Sequence, residues 1–329
     1  MSDLFGKLGG IYLLPVALAL IAFVLIGAPS SWLTLTVAGL AMGMLIFLMA
    51  SGLSLVFGLM DVLNFGHSAF VSFGAFVAAS TLAALSGWLG APSILLNIAA
   101  LVLALAAAIA AGLLAGWLFE RIIIKPVYHD HLRQILITMG ALIVAEQLIL
   151  ATWGGTPTNV PRPAFLEGSI IIGDAAVEIY RLFALVLGAV VYLGLYLLLN
   201  RTRIGLLIRA GVENREMVES LGFKIDRLFI GVFMLGSGLA ALGGAMWAGY
   251  VTLITPALGA EMLVIVFIVV IIGGLGSIQG TLLGALIVGL SANYVGFLAP
   301  KLALASNMIL MMIILLWRPN GLAPAAKGH

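Results

Sequence analysis

The chain has 329 residues, of which 63% are hydrophobic and only 9% charged, whereas soluble domains carry about 25% charged residues. So apolar a chain cannot clothe its surface in polar groups, which excludes a water-soluble globular protein. The net charge of +2 and the absence of cysteine argue against a nucleic-acid footprint and exclude a disulfide framework or a cysteine-ligated metal site.

An apolar run of about 20 residues crosses a bilayer, and ten such spans are predicted: 11–27, 32–59, 67–86, 93–118, 133–152, 182–199, 227–250, 262–273, 280–298 and 302–317. The first, Ile11 to Ile26 after Lys7, has the outline of a signal peptide, with Gly27-Ala28-Pro29-Ser30 behind it. We read it as the first transmembrane helix.

The second span is too long for one crossing. Trp32 to Gly66 is 35 residues, about 52 Å as helix at 1.5 Å per residue, and the hydrocarbon core is about 30 Å thick. The chain is therefore expected to tilt, break or re-enter within Gly58 to Ser68. Asp61, Asn64, Phe65, Gly66, His67 and Ser68 fall in this break. Asn, His and Ser beside unwound backbone suit the ammonium and carboxylate of a small zwitterion. They suit the freed backbone groups of the break itself equally well.

Span 133–152 carries Glu146 beside Gln147. A carboxylate at membrane depth is costly unless paired or hydrated, so Glu146 is a functional candidate. It could instead lie near the outer end or share hydrogen bonds with a neighbouring helix. His129 and His131 flank Asp130, but no further metal-type ligand lies nearby in sequence, so a solvated loop is expected rather than a metal site.

Residues 153–181 form a long polar loop in which Ser169 to Ile179 reads as a hairpin turning at Gly173-Asp174. It is either a solvated connector or a contact surface for an external partner. Residues 200–226 form a second loop, with Arg201, Arg203, Arg209, Arg215, Lys224 and Arg227. Within it Leu206 to Leu221 reads as an amphipathic helix, with Leu207, Ala210, Val218 and Leu221 apolar, ended by Gly222. Its mixed charges suit a protein partner better than anionic lipid.

A second break is expected at Gly273-Gly274-Leu275-Gly276-Ser277-Ile278-Gln279-Gly280, where four glycines in eight residues unwind the chain. Non-helical backbone at membrane depth survives only where protein or water covers it. Paired breaks in the two halves point to a substrate pathway between them. Gly274, Gly276 and Ser277 join the pathway candidates. Gly112-x-x-x-Gly116, Gly236-Ser237-Gly238 and Gly243-Gly244 read as sites of close helix packing.

Ten spans put both termini on one side. Placing that side in the cytoplasm leaves twelve of the fifteen Lys and Arg residues inside and only Arg162, Arg181 and Lys301 outside, as the positive-inside rule requires. The expected fold class is all-α: one polytopic transmembrane helical bundle over 1–329, with about 8–10 spans and two broken or re-entrant segments. No catalytic constellation and no phosphate-binding glycine loop is visible, so a non-enzymatic transport protein is expected.

Four motifs carry a family resemblance. Gly52-Leu53-Ser54-Leu55-Val56-Phe57-Gly58 to Asn64-Phe65-Gly66-His67, Arg209 to Asn214 with Leu221 to Arg227, Gly273 to Gly280, and Trp317-Arg318-Pro319-Asn320-Gly321-Leu322 resemble, in order, segments of the branched-chain amino acid ABC transporter permeases. The LivH-type subunit of the LivH/LivM pair is the more similar. The resemblance implies an inner-membrane permease subunit of an ATP-driven importer for hydrophobic amino acids. It implies a paralogous permease or second copy, two ATP-binding cassette subunits and a periplasmic substrate-binding protein as partners. Arg209, Glu213, Asn214, Glu216 and Gly222 would contact the ATPases, which hold ATP and Mg; the chain itself is expected to bind no cofactor and no metal. Urea permeases of the superfamily carry a long extra N-terminal domain not seen here. Importers of urea, short amides or aromatic acids remain alternatives, as does an autonomous channel or ion-coupled carrier.

Overall fold

The computed structural model describes residues 10–128, 130–213 and 215–324. Its helices are α1 (Leu14–Ile26), α2 (Pro29–Met60), α3 (His67–Ala84), the single turn α4 (Ser86–Leu89), α5 (Ile94–Phe119), α6 (His131–Trp153), α7 (Ile179–Arg201), α8 (Arg203–Glu213), α9 (Arg215–Ser220), α10 (Ile225–Val251), α11 (Leu258–Gly273), α12 (Ile278–Leu298) and α13 (Ala303–Trp317). Seven are long and apolar enough to cross a membrane, and three shorter apolar helices over Gly10–Ile26, Leu258–Gly273 and Ala305–Trp317 bring the number to ten among the described residues. All ten predicted spans are helices. The first begins with proline in its opening turn and ends on Gly27 at φ +69, and its Ala22 packs with Leu290 and Tyr294.

Helix α2 is the mast of the bundle. It runs 32 residues without interruption, about 48 Å, and its residues from Leu45 to Ala50 are fully buried. Helices α12, α10, α7 and α11 pack against it and α3 touches it, while α5 packs on α10 and α3; the membrane-spanning windows of α6 and α7 are only 17% buried.

Small residues set the closeness of this packing. The Gly243-Gly244 pair of α10 sits where α2 and α3 cross it: a Cβ on Gly244 would overlap the Val71 carbonyl, and one on Gly243 would come 2.5 Å from Met49 Cγ. Gly112 and Gly116 of α5 face Ser237 and Ala241 of the same helix. Without side chains between them the backbones approach, and dispersion replaces the hydrophobic drive that lipid cannot supply.

The connections sort into two ends. At one end the predicted hairpin forms: β2 (Ser169–Ile172) pairs antiparallel with β3 (Ala175–Glu178), turning on Gly173 at φ +62. There β1 (Thr158–Asn159) pairs with β4 (Leu253–Ile254). Arg162 donates from Nη2 to the Tyr250 carbonyl at 2.7 Å and from Nε to that of Gly249, placing a cation on the C-terminal end of α10. Asn97 fastens the same end, donating to the carbonyls of Trp88, Ala91 and Ser93 and accepting from the Ala164 amide.

At the basic end lie both breaks, the turn after α5, and helices α8 and α9. Helical backbone begins at Arg203, earlier than expected, and stops before Gly222, whose φ is +86. Ile208 and Val218 are buried against the bundle, with Leu207 and Ala210 beside them. Leu221, expected on this apolar face, is instead exposed, as are Leu206, Met217 and Phe223: past Val218 the helix ends on Gly222 and Leu221 turns outward. Asn214 and the side chains of Arg209, Glu213 and Glu216 lie outside the described residues.

Replacing Gly244 by alanine is expected to destabilise the fold by about 1–3 kcal/mol through overpacking, read as a lowered melting temperature in detergent. Gly140, whose Cβ would meet nothing within 4 Å, should accept alanine without loss.

Candidate functional site

The first break begins at Asp61, which ends α2 in the left-handed region at φ +53, its amide bonded to the Phe57 carbonyl. From there the chain climbs back along the helix it has just left. By His67 it has reached the level of Met49, whose carbonyl accepts a hydrogen bond from His67 Nε2 at 3.0 Å. Met49 lies eleven residues before the end of α2, about 16 Å up its axis. Residues 61–66 are therefore re-entrant, and α3 starts inside the bundle.

Re-entry frees backbone donors in an apolar setting, and α6 satisfies two of them. The Leu63 amide donates to Gln134 Oε1 at 3.4 Å and the Phe65 amide to Thr138 Oγ1 at 3.1 Å. Gln134 in turn donates to the carbonyls of Val127 and Tyr128, and Thr138 to that of Gln134. Both side chains are fully buried. The sequence reading missed them. Their signal was two hydrogen-bonding residues spaced i, i+4 on one face of an apolar helix.

The second break is a tight turn. Gly274 and Gly276 have φ of +101 and +79, and Ser277 caps α12 by accepting from the Gly280 amide at 3.1 Å. The carbonyls left open at the end of α11 are taken by the chain's own tail: Leu322 N donates to Ile272 O at 2.8 Å and Ala323 N to Gly273 O at 3.0 Å. The Arg-Pro-Asn-Gly-Leu ending is thus a strap across the break, turned by Gly321 at φ +82.

The two breaks meet. A Cβ on Gly276 would come 2.6 Å from Gly58 Cα, so the backbones touch. Phe65 stacks on Phe267 of α11 with ring centroids 4.6 Å apart. Gly66 lies under the Phe119 ring, and Phe119 stacks on Phe233 of α10 at 6.0 Å. Asn64, His67 and Ser68 are each 1% exposed. Both amide atoms of Asn64, the Ser68 and Ser54 hydroxyls and His67 Nδ1 have no hydrogen-bond partner among the described residues. Leaving a buried polar group unmet costs about 1–3 kcal/mol, so such a cluster calls for a functional explanation.

Among the candidates, Asn64, Phe65, Gly66, His67 and Ser68 come together with the turn of Gly274, Gly276 and Ser277. Asp61 stands at the exposed edge, 3.8 Å from His131 Nε2. Glu146 lies eight residues beyond Thr138 on α6, about 12 Å away along the axis, half-buried with Oε1 unpartnered, and Gln147 is exposed; neither joins the breaks.

The chain matches the family described as branched-chain amino acid transport system / permease component over residues 35–317. It belongs to this permease family. The matched stretch contains both breaks and the loop between α7 and α10. The permease is 26% identical over 297 residues to the high-affinity branched-chain amino acid transport system permease protein LivH of Escherichia coli K12, covering 86% of this chain and 92% of that one. It is 25% identical over 295 residues to BraD of Pseudomonas aeruginosa, covering 87% and 94%. A probable LivM of Methanocaldococcus jannaschii is 28% identical over 171 residues, 47% of this chain and 49% of that one. One solved structure, an ABC transporter in an inward-facing conformation, aligns with 94% of the permease and 98% of that chain at TM-score 0.48 and 18% identity.

A further residue escaped the sequence reading. Glu120 of the permease is 4% exposed and opens a π-turn, Glu120–Ile124, beside Phe119 and next to the start of α10. The charged residues that follow it (Arg121, Lys125) hid it among loop positions.

Thr138→Val should strand the Phe65 amide at a cost of about 1–3 kcal/mol. The expected result is a lower melting temperature and faster amide exchange in residues 61–66, with no change for Thr152→Val, whose hydroxyl bonds only its own helix.

Proposed function

We propose that this permease is one membrane subunit of an ATP-driven importer, and that its cargo is a branched-chain or other hydrophobic amino acid. The observation that carries the reading is the meeting of two broken segments, backbone against backbone, at the basic end of a close-packed bundle, in a chain of this family. Paired interruptions in the two halves are the expected signature of a pathway at their junction, and the names of LivH and BraD supply the cargo class.

The basic end is the cytoplasmic one in this proposal, with both termini there, because twelve of fifteen cationic residues then face inward. The ATPase subunits dock on 201–227. Two features support this docking surface: mixed charges along α8 and α9, and the exposed apolar side chains of Leu206, Met217, Leu221 and Phe223 beside them. Arg209, Glu213, Asn214, Glu216 and Gly222 belong to the contact. The segment leads directly into α10, which packs on α2, α3 and α5, so movement of the docked helices reaches the breaks through one rigid element. ATP and Mg reside on the partners.

The opposite end receives a periplasmic binding protein, at 153–181 and the neighbouring 251–261. Arg162 holds this loop on the end of α10. A second permease subunit, a paralogue or another copy, completes the pathway; the likeness to a LivM favours a paralogue. Asn64, Phe65, Gly66, His67, Ser68, Gly274, Gly276 and Ser277 line the path, with Asp61 at its inner edge. Glu146 and Gln147 stand away from it on α6.

The test is co-purification with candidate ATPase subunits in nanodiscs, followed by binding-protein-stimulated ATP hydrolysis across a panel of amino acids and amides. Stimulation by leucine, isoleucine or valine is expected. Stimulation by urea alone would change the cargo, and uptake by the isolated chain without any ATPase would replace the importer by a channel or carrier. Combined charge reversal at Arg209 and Glu213 is expected to abolish ATPase association; unchanged association and uptake would move the docking surface elsewhere.

A further inference from the structure

We infer that Glu120 is a positioning residue for coupling: it sets how the turn after α5 seats on the head of α10, the joint through which movement from α8 and α9 reaches the first break. The inference rests on the importer reading and names the joint through which that reading would work.

Glu120 is a buried acid that the two breaks leave unused. It opens the π-turn Glu120–Ile124, a rare irregularity often found at functional positions. Its Oε2 has no hydrogen-bond partner among the described residues. Burying a carboxylate is costly unless neighbouring charges offset it. The charges that bear on it are Lys125 and Arg121, which follow it, and Asp226 in the first turn of α10. The two cations favour the buried carboxylate and Asp226 repels it. The balance therefore depends on how far the head of α10 stands from the turn.

The same turn is fastened to α10 by aromatic rings. Asp226, Phe229 and Phe233 recur at i, i+3 and i+7, one stripe of the helix. Phe229 stacks on Tyr128 with ring centroids 6.3 Å apart, and Phe233 on Phe119 at 6.0 Å. Residues 119–128 thus lie along the first turns of α10, with Glu120 opposite its head.

The far side of the turn leads to the first break. A Cβ on Gly66 would come 2.5 Å from Phe119 Cζ, so the ring closes over that residue. Phe70 of α3 packs edge-on against Phe119 and Phe233, at 5.2 and 6.2 Å. Gln134, which meets the Leu63 amide, is itself anchored on the Val127 and Tyr128 carbonyls. A shift of α10 that carries the turn with it therefore reaches residues 61–66 twice, through a ring and through an amide.

The test is leucine taken up per ATP hydrolysed, in proteoliposomes with ATPase subunits and binding protein. Glu120→Gln keeps the shape and removes the charge. It is expected to leave assembly and melting temperature unchanged and to lower that ratio about fivefold, the small end of coupling between distant sites. Glu120→Asp, which keeps the charge, should recover part of the loss. An unchanged ratio in Glu120→Gln, or a lowered melting temperature with the ratio intact, would make Glu120 structural only and overturn the inference.

Because the chain has no cysteine, spin labels give a second reading with Glu120 in place. Ile122→Cys on the turn is exposed, and Gly231→Cys on α10 has open space around it. One narrow distance between the labels is expected with and without a non-hydrolysable ATP analogue, widening in Glu120→Gln. Two distances with Glu120 present would show the turn and α10 parting, and would overturn the joint. Absence of stimulated hydrolysis in the unsubstituted assembly with every amino acid would instead reject the importer reading, and the label distances would still decide the joint.

Discussion

Backbone inside a membrane has no water to turn to, and each amide and carbonyl released from a helix must find a partner in the protein. This constraint explains more of the structure than any single contact. The first break releases amides at Leu63 and Phe65, and α6 brings Gln134 and Thr138 to meet them. The second releases carbonyls at Ile272 and Gly273, and the chain folds its own tail over them. Two fully buried polar side chains on a perimeter helix, and a terminal strap, exist to let two helices stop where they do.

That arrangement leaves a division of labour among the polar residues at the breaks. The groups that satisfy backbone come from α6 and the tail. Asn64 and Ser68, which stand in the first break and at the start of α3, are not used for it, so their hydrogen-bonding capacity remains for something else. A path for a polar cargo through an apolar bundle needs such capacity, held in place by a frame that does not depend on it. The frame here is the crossing of α2, α3, α5 and α10, where glycine against backbone leaves no room for rearrangement. In the proposed coupling, motion delivered from α8 and α9 through α10 is passed on rather than absorbed.

The ten helices were legible in the sequence because each is an apolar run bounded by charge, glycine or proline. So were the hairpin at Gly173-Asp174 and the helix end at Gly222, since local turn chemistry decides both. The first break was legible from the excess length together with the polar residues of Gly58 to Ser68; length alone did not place it, since α2 runs 32 residues unbroken. Leu221 was misplaced, because periodicity continues on paper past the residue where the helix stops. Glu120 passed unnoticed among Arg121 and Lys125, and Gln134 and Thr138 passed as ordinary polar residues near a helix start.

What the sequence determined by itself was where the chain enters and leaves the membrane and where its helices fail, for these follow from hydropathy, charge and glycine over short distances. Only the tertiary structure decided that the two failures meet, that residues 61–66 turn back along α2, and that the last described residues close the second break. The first of these joins positions more than two hundred residues apart, Gly58 and Gly276. Steric fit between packed helices fixes such pairs, and no local preference of either segment encodes it.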